Sequence, residues 1–196
     1  MASIVINGDS SGSLTLSAPS VAGSNTQTLV ATTGTLAPIV SGTVVASTSG
    51  TSIDFTSIPS WVKRITVMFS GVSTTGTSIP TVQLGDSGGI ETSSYVGAYA
   101  RTNAGSVSAG TLGTGGFYVI AGGWTAAATV SGSMVLTLLN SATNTWSATS
   151  TVGSSIGEIS WCGGSKSLSD VLTQIRITTA AGTDTFDAGS INILYE

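Results

Sequence analysis

The sequence contains no histidine and only one cysteine, Cys162. Zinc and other transition metals favour ligands of these two kinds, so we expect no such metal site. A lone cysteine cannot form a disulfide within the chain, and no histidine or run of cations lies near it in sequence to lower the pKa of its thiol. We expect Cys162 to be a small buried hydrophobic residue. Asp184 and Asp187 lie close together but lack the spacing of a calcium loop, so the sequence predicts no metal and no cofactor.

Charged residues and long apolar runs are also scarce. Charged side chains make up 7% of the chain, and its five cations form no cluster beyond the pair Lys63 and Arg64. Nucleic acid is therefore not an expected partner, because its binding needs clustered cations. Residues 134–139, MVLTLL, form the longest apolar run, whereas a membrane span needs roughly 20 residues. The first ten residues lack the features of a secretory signal. We expect neither a membrane span nor a signal peptide.

Residues 85–89 spell GDSGG, the sequence around the nucleophile of trypsin-like proteases. Ser87 would need a neighbouring base to become nucleophilic, and the histidine that serves in that family is missing. A Ser–Lys arrangement with Lys63 or Lys166 would need a desolvated lysine, which no feature of the sequence indicates. We interpret the stretch as a connection between two strands. Its glycines would supply positive φ angles, and Asp86 and Ser87 would make local hydrogen bonds at the loop tip.

Short runs of β-branched and aromatic residues recur at even intervals, bounded by Gly, Ser, Thr and Asn. In RITVMFS, Ile65, Val67 and Phe69 alternate with more polar residues, as expected of a strand with one buried face. No segment keeps a helical apolar period for more than a turn or two. These patterns predict an all-β fold with an antiparallel β-sandwich of the jelly-roll-like kind. The predicted strands are GTVVAST, TSIDFT, RITVMFSG, TVQLGD, SSYVGAYAR, FYVIAGG, GSMVLTLLN, NTWSATS, GEISWCG, TQIRITTA and SINILYE.

The first 40 residues differ in kind from the remainder. They contain no aromatic residue, one charge at Asp9, and three short apolar segments separated by turns rich in Ser, Gly and Asn. Such a segment cannot bury enough surface by itself to offset its ordering entropy. It is therefore disordered, packed against copies of itself, or docked onto a partner. We divide the chain into an extended N-terminal β arm, residues 1–40, and a β-sandwich head, residues 41–196.

Residues 6–36, INGDSSGSLTLSAPSVAGSNTQTLVATTGTL, resemble a segment that recurs near the N-termini of tail-fibre and related virion structural proteins of tailed bacteriophages. There the segment reads approximately G-D-S/T-S-G-S/T-x-T-L-x-A-P-x-V-A-G-x-N-T-x-T-L-x-x-x-T-G-T. The β-rich remainder, ending in DAGSINILYE, also looks like the C-terminal modules of such proteins. The resemblance implies a homotrimer on the outer surface of a virion, made in the host cytoplasm, whose arm engages neighbouring chains.

In a trimer, aliphatic residues of three arms can turn toward a common axis, and burial stabilises the assembly by about 0.8 kcal/mol per CH₂ group. The residues that we expect at this trimer and anchor interface are Ile4, Ile6, Leu14, Leu16 and Leu29. The chain has one such arm and no shaft repeats. A capsid decoration or cement protein fits this organisation, with the major capsid protein as its partner.

The alternative function is a short tail fibre or fibre tip that recognises a glycan or protein of the host surface. Such a protein would use exposed aromatic residues as stacking platforms, and the candidates are Trp124, Trp146, Tyr95 and Tyr99. The competing interpretation is that these side chains fill the core. A glycan-cleaving enzyme is a third hypothesis, but no spacing connects any two of its candidate carboxylates, Glu91, Glu158 and Asp170. We therefore expect no catalysis.

Overall fold

A computed structural model describes residues 3–7, 11–17 and 37–196 of the chain. The chain divides into two compact units, Met1–Leu36 and Ala37–Glu196. Across the described residues there are sixteen strands and no helix, and every strand pair is antiparallel. The strands are β1 (Ser3–Asn7), β2 (Ser13–Ser17), β3 (Val40–Ser41), β4 (Val45–Ala46), β5 (Ser52–Phe55), β6 (Arg64–Thr74), β7 (Pro80–Asp86), β8 (Gly89–Ile90), β9 (Val96–Asn103), β10 (Ser106–Thr111), β11 (Phe117–Tyr118), β12 (Val130–Asn140), β13 (Thr145–Ser154), β14 (Glu158–Ser167), β15 (Gln174–Thr179) and β16 (Phe186–Tyr195). The predicted all-β class is confirmed.

The second unit contains two antiparallel sheets. Within residues 37–196, the larger sheet has nine strands in the order β10-β9-β14-β13-β12-β6-β16-β3, with β4 also paired to β16. The smaller sheet has five strands in the order β11-β7-β15-β5, with β8 paired to β7. Each of the eleven predicted runs overlaps one of these strands. The head is thus sandwich-like, with side chains of both sheets in one hydrophobic core.

Alternation of the strand residues determines which face of each sheet enters that core. Ile65, Val67 and Phe69 of β6 are buried as predicted, and Ile175 and Ile177 of β15 are buried opposite them in the smaller sheet. Cys162 is buried among these apolar side chains, as expected, and burial raises the pKa of its thiol. Hydrophobic contact between the two inner faces therefore holds the sheets together.

The strand order of the head differs from that of a jelly roll. A jelly roll contains eight strands arranged as two Greek keys. In the described head, three successive strands, β12, β13 and β14, are instead neighbours in the same sheet, each joined to the next by a hairpin. The prediction of a sandwich-like antiparallel fold is therefore confirmed, whereas the jelly-roll-like order is not found.

Candidate functional site

The N-terminal unit contains an antiparallel hairpin formed by β1 and β2. Its register pairs Ile4 with Leu16 and Ile6 with Leu14. Residues two apart in a strand belong to the same face, so these four positions fall on one face of the two-stranded ribbon. Four of the five expected interface residues are thus brought together, and Leu29 lies outside the described residues. The hairpin register thus pairs aliphatic positions from two separate sequence segments.

The described side chains of this hairpin are open to solvent. Val5 is 55% exposed and Ile6 is 54% exposed, and Thr15 is exposed as well. The described residues of the hairpin carry no charge. An isolated two-stranded hairpin has no interior and is at best marginally stable in water. Exposed aliphatic residues such as Ile6 therefore gain stability when a partner covers the face to which they belong.

Three of the four aromatic side chains considered for host binding are buried. Trp124 donates a hydrogen bond from Nε1 to Thr74 Oγ1 at 2.9 Å, and the hydroxyl of Tyr95 donates to the carbonyl of Glu91 at 3.0 Å. Trp146 is also buried. These rings cannot act as stacking platforms in this fold, because their faces pack inside the sandwich. The competing interpretation, burial in the core, describes them correctly.

Tyr99, the fourth of these aromatic residues, is only partly buried. Its ring lies 6.1 Å from that of Tyr118, between centroids, and both rings pack against the edge of the core. Its hydroxyl oxygen would lie 2.8 Å from a Cβ atom added at Gly110 of the neighbouring strand. Tyr99 is therefore held against its own sheet by close neighbours, which leaves little of the ring free for a ligand.

A different tryptophan is exposed on the larger sheet, and the sequence patterns did not single it out. Trp161 is 42% exposed on the outer face of β14, together with Ile159. Its cross-strand neighbours, Thr151 and Ala100, are small and leave the ring accessible. The inner positions of the same strand include three polar residues, Glu158, Ser160 and Lys166, beside Cys162. Sequence alternation would have assigned the apolar residues of this strand to the core, which is why Trp161 was missed.

Glu158 is buried at the start of β14, and Arg101 of β9 accounts for its location. Arg101 Nη1 lies 3.0 Å from Glu158 Oε2, and the same guanidinium donates from Nε to Ser108 Oγ. A buried carboxylate is tolerated when a cation and hydrogen bonds compensate for lost hydration. The ion pair with Arg101 therefore allows the charged side chain of Glu158 on β14 to be buried.

The GDSGG segment forms the hairpin between β7 and β8. Asp86 Oδ1 accepts a hydrogen bond from the N–H of Gly88 at 2.8 Å, which confirms the expected local bond. Only Gly89 of its three glycines has a positive φ, +119°. Asp86 is buried rather than at the loop tip, because Oδ2 also accepts bonds from Ser169 Oγ at 2.7 Å and from the N–H of Asp170 at 2.9 Å. The hydroxyl of Ser169 contributes most to lowering the pKa of Asp86.

The side chains of a Ser–Lys pair are engaged elsewhere in this structure. Ser87 donates its hydroxyl hydrogen bond to Asp170 Oδ2 at 3.0 Å. Lys166 is buried, forms an ion pair with Glu91, and lies 5.4 Å from the centre of the Tyr95 ring. The lysine therefore neutralises a carboxylate, and nothing in this arrangement activates the serine. These contacts form a polar cluster that connects β14 of the larger sheet with the hairpin of the smaller one. Its members are Asp86, Ser87, Glu91, Lys166, Ser169 and Asp170.

The candidate carboxylates do not form a hydrolytic pair with Glu158. Glu91 contacts Lys166, which lies eight residues along β14 from Glu158. At about 3.3 Å per residue this separation is roughly 26 Å, whereas a glycosidase pair is about 5–10 Å apart. Glu91 and Asp170 are both tied to the polar cluster, Glu91 through the N–H of Ser169 at 2.8 Å. Each carboxylate is therefore explained by a structural contact.

The part of the chain that the structure describes has neither a metal-binding cluster nor a membrane-spanning helix. There, no three His, Cys, Asp or Glu side chains lie close enough together to hold a metal ion. Asp184 accepts a hydrogen bond from the N–H of Ser78 at 2.8 Å, and Asp187 bonds to the hydroxyl of Ser73. The described part of the chain also includes no helix with the length and hydropathy needed to span a bilayer.

No family model, curated protein or solved structure matches this chain.

Proposed function

We propose that this chain is a non-enzymatic protein of a phage virion surface, most specifically a homotrimeric capsid decoration or cement protein. The resemblance of residues 6–36 to virion structural proteins provides the sequence basis. The observation that carries the proposal is the hairpin of β1 and β2, whose register brings Ile4, Ile6, Leu14 and Leu16 onto one face. In the proposed assembly, the arm joins three copies and attaches them to the major capsid protein, and the head is on the outside.

The size of the aliphatic face supports attachment by many weak contacts. Fully burying one aliphatic side chain stabilises a complex by about 1.5–3 kcal/mol, so four positions supply roughly 6–12 kcal/mol per arm. The loss of translational and rotational freedom on association offsets some 4–15 kcal/mol of this gain. One arm alone would therefore bind weakly. In a trimer three arms share this gain, and the weak contacts of each trimer, repeated over a symmetric shell, together make attachment strong.

The head supports a binding role rather than turnover. Its buried acidic residues are engaged in structural contacts, with Asp86 bonded to Ser169 and Glu158 paired with Arg101. The outer positions of β13 and β14 carry Thr, Ser, Gly, Ile and Trp and no charge. A neutral face of this kind is suited to a stable outer surface that does not select a charged ligand.

The oligomeric state of the full chain provides the first test. Light scattering after size exclusion should give the mass of a trimer, and Ile6→Asp should reduce that mass because it introduces a charge into the aliphatic face. Val5→Asp is the matched control, since Val5 pairs with Thr15 on the opposite face of the ribbon. A wild-type chain that is monomeric at all concentrations would remove the trimer from the proposal.

Direct localisation provides the second test. Antibody fragments against the head, imaged on purified virions, should decorate the capsid in a regular array. Particles from which the protein has been removed should lose their capsids at a lower temperature than untreated particles, because bound subunits favour the assembled shell. Label confined to the tail would exclude a decoration protein.

The second candidate function, a short tail fibre that recognises the host surface, is favoured by Trp161. Its partly exposed ring on an uncharged sheet face is the arrangement needed to stack against a neutral sugar. Soluble protein should then compete with phage adsorption to host cells, and Trp161→Ala should abolish the competition. Competition that survives this substitution would place any receptor contact elsewhere on the head.

A further inference from the structure

A groove of about 330 Å³ lies on the outer face of the smaller sheet. Gln83 of β7 and Arg176 and Thr178 of β15 line it with side chains that alternate with the buried residues of those strands. The other residues that line it are glycines, alanines, serines and threonines, which leave the groove open. Small-molecule sites typically measure roughly 300–1,000 Å³, so this groove has room for one small molecule.

Arg176 has an unused hydrogen-bonding edge in this groove. Its Nε and Nη2 donate to Asp54 Oδ1 at 2.8 Å and to Asp54 Oδ2 at 2.7 Å. Because these two nitrogens form one edge of the planar guanidinium, the third nitrogen, Nη1, points away from Asp54. Asp54 and Gln83 flank Arg176 on the two neighbouring strands, so Nη1 is directed toward the Gln83 side of the sheet.

The free donors of Arg176 are accessible to a ligand. Among the residues that the structure describes, neither Nη1 nor the second N–H of Nη2 has an acceptor. The side chain is 36% exposed, and Nη1 is not among the enclosed polar atoms that lack a partner. A ligand in the groove can therefore accept hydrogen bonds from this edge without any rearrangement of the ion pair with Asp54.

Gln83 supplies a fixed acceptor beside these donors. Its Nε2 donates to the carbonyl of Gly115 at 2.8 Å, which sets the orientation of the amide. Its Oε1 accepts no hydrogen bond within the described part of the chain, and this atom is not enclosed either. Gln83 and Arg176 are directly opposite each other in the antiparallel register, where Cβ atoms lie about 4.5–5.5 Å apart. The groove thus presents a donor and an acceptor next to each other.

The charges around the groove favour a neutral ligand. Of the described residues that line it, Arg176 is the one that carries a charge, and Asp54 neutralises that charge. An anion would gain little from a cation that is already paired, and it would be repelled by the carboxylate of Asp54. A hydroxyl group, in contrast, both donates and accepts hydrogen bonds. Neighbouring hydroxyl groups therefore match Arg176 and Gln83 better than a carboxylate or a phosphate does.

We propose that this groove binds a neutral sugar through two adjacent hydroxyl groups. One hydroxyl accepts from Nη1 of Arg176, and its neighbour donates to Oε1 of Gln83. The methyl groups of Thr92 and Ala180, which also line the groove, contact the C–H groups of the ring. The sugar is either free or the terminal unit of a glycan chain. The inference uses residues of the head alone and does not depend on the virion assignment or on Trp161.

Nitrogen–proton NMR of the full chain, with its backbone signals assigned, locates the site directly. The probes are methyl α-D-glucopyranoside, methyl α-D-galactopyranoside and methyl α-D-mannopyranoside. At least one of them should shift the signals of Gln83, Arg176 and Thr178 in a saturable manner, with a dissociation constant on the order of millimolar. Tetrahydropyran, the same ring without hydroxyl groups, should not. No saturable shift with any glycoside, or an equal shift with tetrahydropyran, would overturn the proposal.

An anionic probe tests the preference for a neutral ligand. Sodium acetate should bind this groove more weakly than the best of the three glycosides. Asp54→Asn removes the counter-charge of Arg176, so it should weaken glycoside binding and strengthen acetate binding, a change of preference that a loss of folding cannot produce. Tighter binding of acetate than of every glycoside by the wild-type chain would assign the free edge of Arg176 to a carboxylate and contradict the proposal.

A further titration distinguishes the two sources of the sugar. The best glycoside is compared with a linear trisaccharide of the same unit, which is maltotriose in the case of glucose. Tighter binding of the trisaccharide assigns the groove to a glycan chain, and equal or weaker binding assigns it to a free sugar. Both outcomes support a sugar site, since each requires saturable binding at the same residues.

Variants test the role of the guanidinium. Arg176→Lys keeps a positive charge beside Asp54 but removes Nη1, and it should weaken glycoside binding about tenfold. Arg64→Lys is the matched control, because Arg64 also pairs with a carboxylate, that of Glu196, outside the groove. Trp161→Ala should also leave the affinity unchanged, which separates this site from the exposed ring on the larger sheet. Wild-type affinity in a folded Arg176→Lys protein would overturn the proposal.

Discussion

The ammonium of Lys166 on β14 forms an ion pair with the carboxylate of Glu91, next to the hairpin of the smaller sheet. Lys166 is 4% exposed, and the ring of Tyr95 lies beside its Nζ. A cation in so dry a location depends on its partner. The pair therefore connects the two sheets at a point where apolar packing gives way to polar contacts.

Removing one partner of this pair should destabilise the head strongly. We expect Glu91→Gln to lower the free energy of unfolding by about 3 kcal/mol, because it leaves the ammonium of Lys166 buried without a counter-charge. Urea denaturation followed by tryptophan fluorescence measures this change. Asp54→Asn is the matched control, since the pair of Asp54 with Arg176 is about one-third exposed and should contribute less than about 1 kcal/mol. Equal losses of unfolding free energy in Glu91→Gln and Asp54→Asn would contradict the distinction between a buried and a partly exposed ion pair.

Asp86 should make the stability of the head depend on acidity. Its pKa is lowered in the folded protein from the ordinary value of 3.8, chiefly by the hydroxyl of Ser169. The contribution of the Asp86 carboxylate to the free energy of unfolding is therefore complete above pH 3.8. It is lost as the pH falls from 3.8 toward the lower pKa of the folded protein. Urea midpoints measured from pH 6 to pH 2 should show Ser169→Ala losing less stability on acidification than the wild type. Parallel pH profiles would contradict this assignment.

The serine in the GDSGG segment should be almost irrelevant to stability. Ser87→Ala removes one exposed hydrogen bond to Asp170 and should change the free energy of unfolding by less than about 0.5 kcal/mol. Gly89→Ala should cost about 1 kcal/mol or more, because the backbone there has a φ of +119°. Thermal unfolding of both variants checks the contrast. A large effect of Ser87→Ala would mean that the loop tip has a role beyond its local bonds.

Truncation of two tryptophans should destabilise the head to very different extents. Trp124→Ala should lower the free energy of unfolding by about 3–5 kcal/mol, since it empties a core position and leaves Thr74 without its donor. Trp161→Ala should have a much smaller effect, because its ring lies on the outer face. Chemical denaturation of the two variants under identical conditions provides the comparison. Similar losses would indicate that the outer face of β14 is covered in solution.

Period-two alternation was sufficient to predict the longer strands of the head except β10, but not the orientation of β14. In β6 the apolar residues Ile65 and Val67 are inward, as the pattern indicates. In β14 the pattern is reversed, because Arg101 reaches Glu158 and Glu91 reaches Lys166 from distant parts of the chain. Sequence spacing cannot reveal such partners. The same limitation hid the polar cluster around Asp86, whose contacts come from residues more than 80 positions away.

Strand β10 was missed for a different reason. Its sequence, SVSAGT, has one β-branched aliphatic residue and no aromatic residue, so its own propensity for strand is weak. It pairs with β9 because Ala104 and Gly105 both have positive φ angles, 46° and 82°, which form a two-residue turn suited to a hairpin. The turn and the neighbouring strand impose the extended conformation, and neither appears in a search for apolar periodicity.

The free side of β10 has a consequence for the protein in concentrated solution. Among the described strands β10 pairs only with β9, in unbroken register, and its six residues include no charge and no proline. Charge, proline and bulges are the features that keep sheet edges from joining one another. The solubility limit of the purified protein should therefore be set by edge-to-edge association at this strand. A lysine introduced at Val107, whose side chain is exposed, would raise that limit without touching the core.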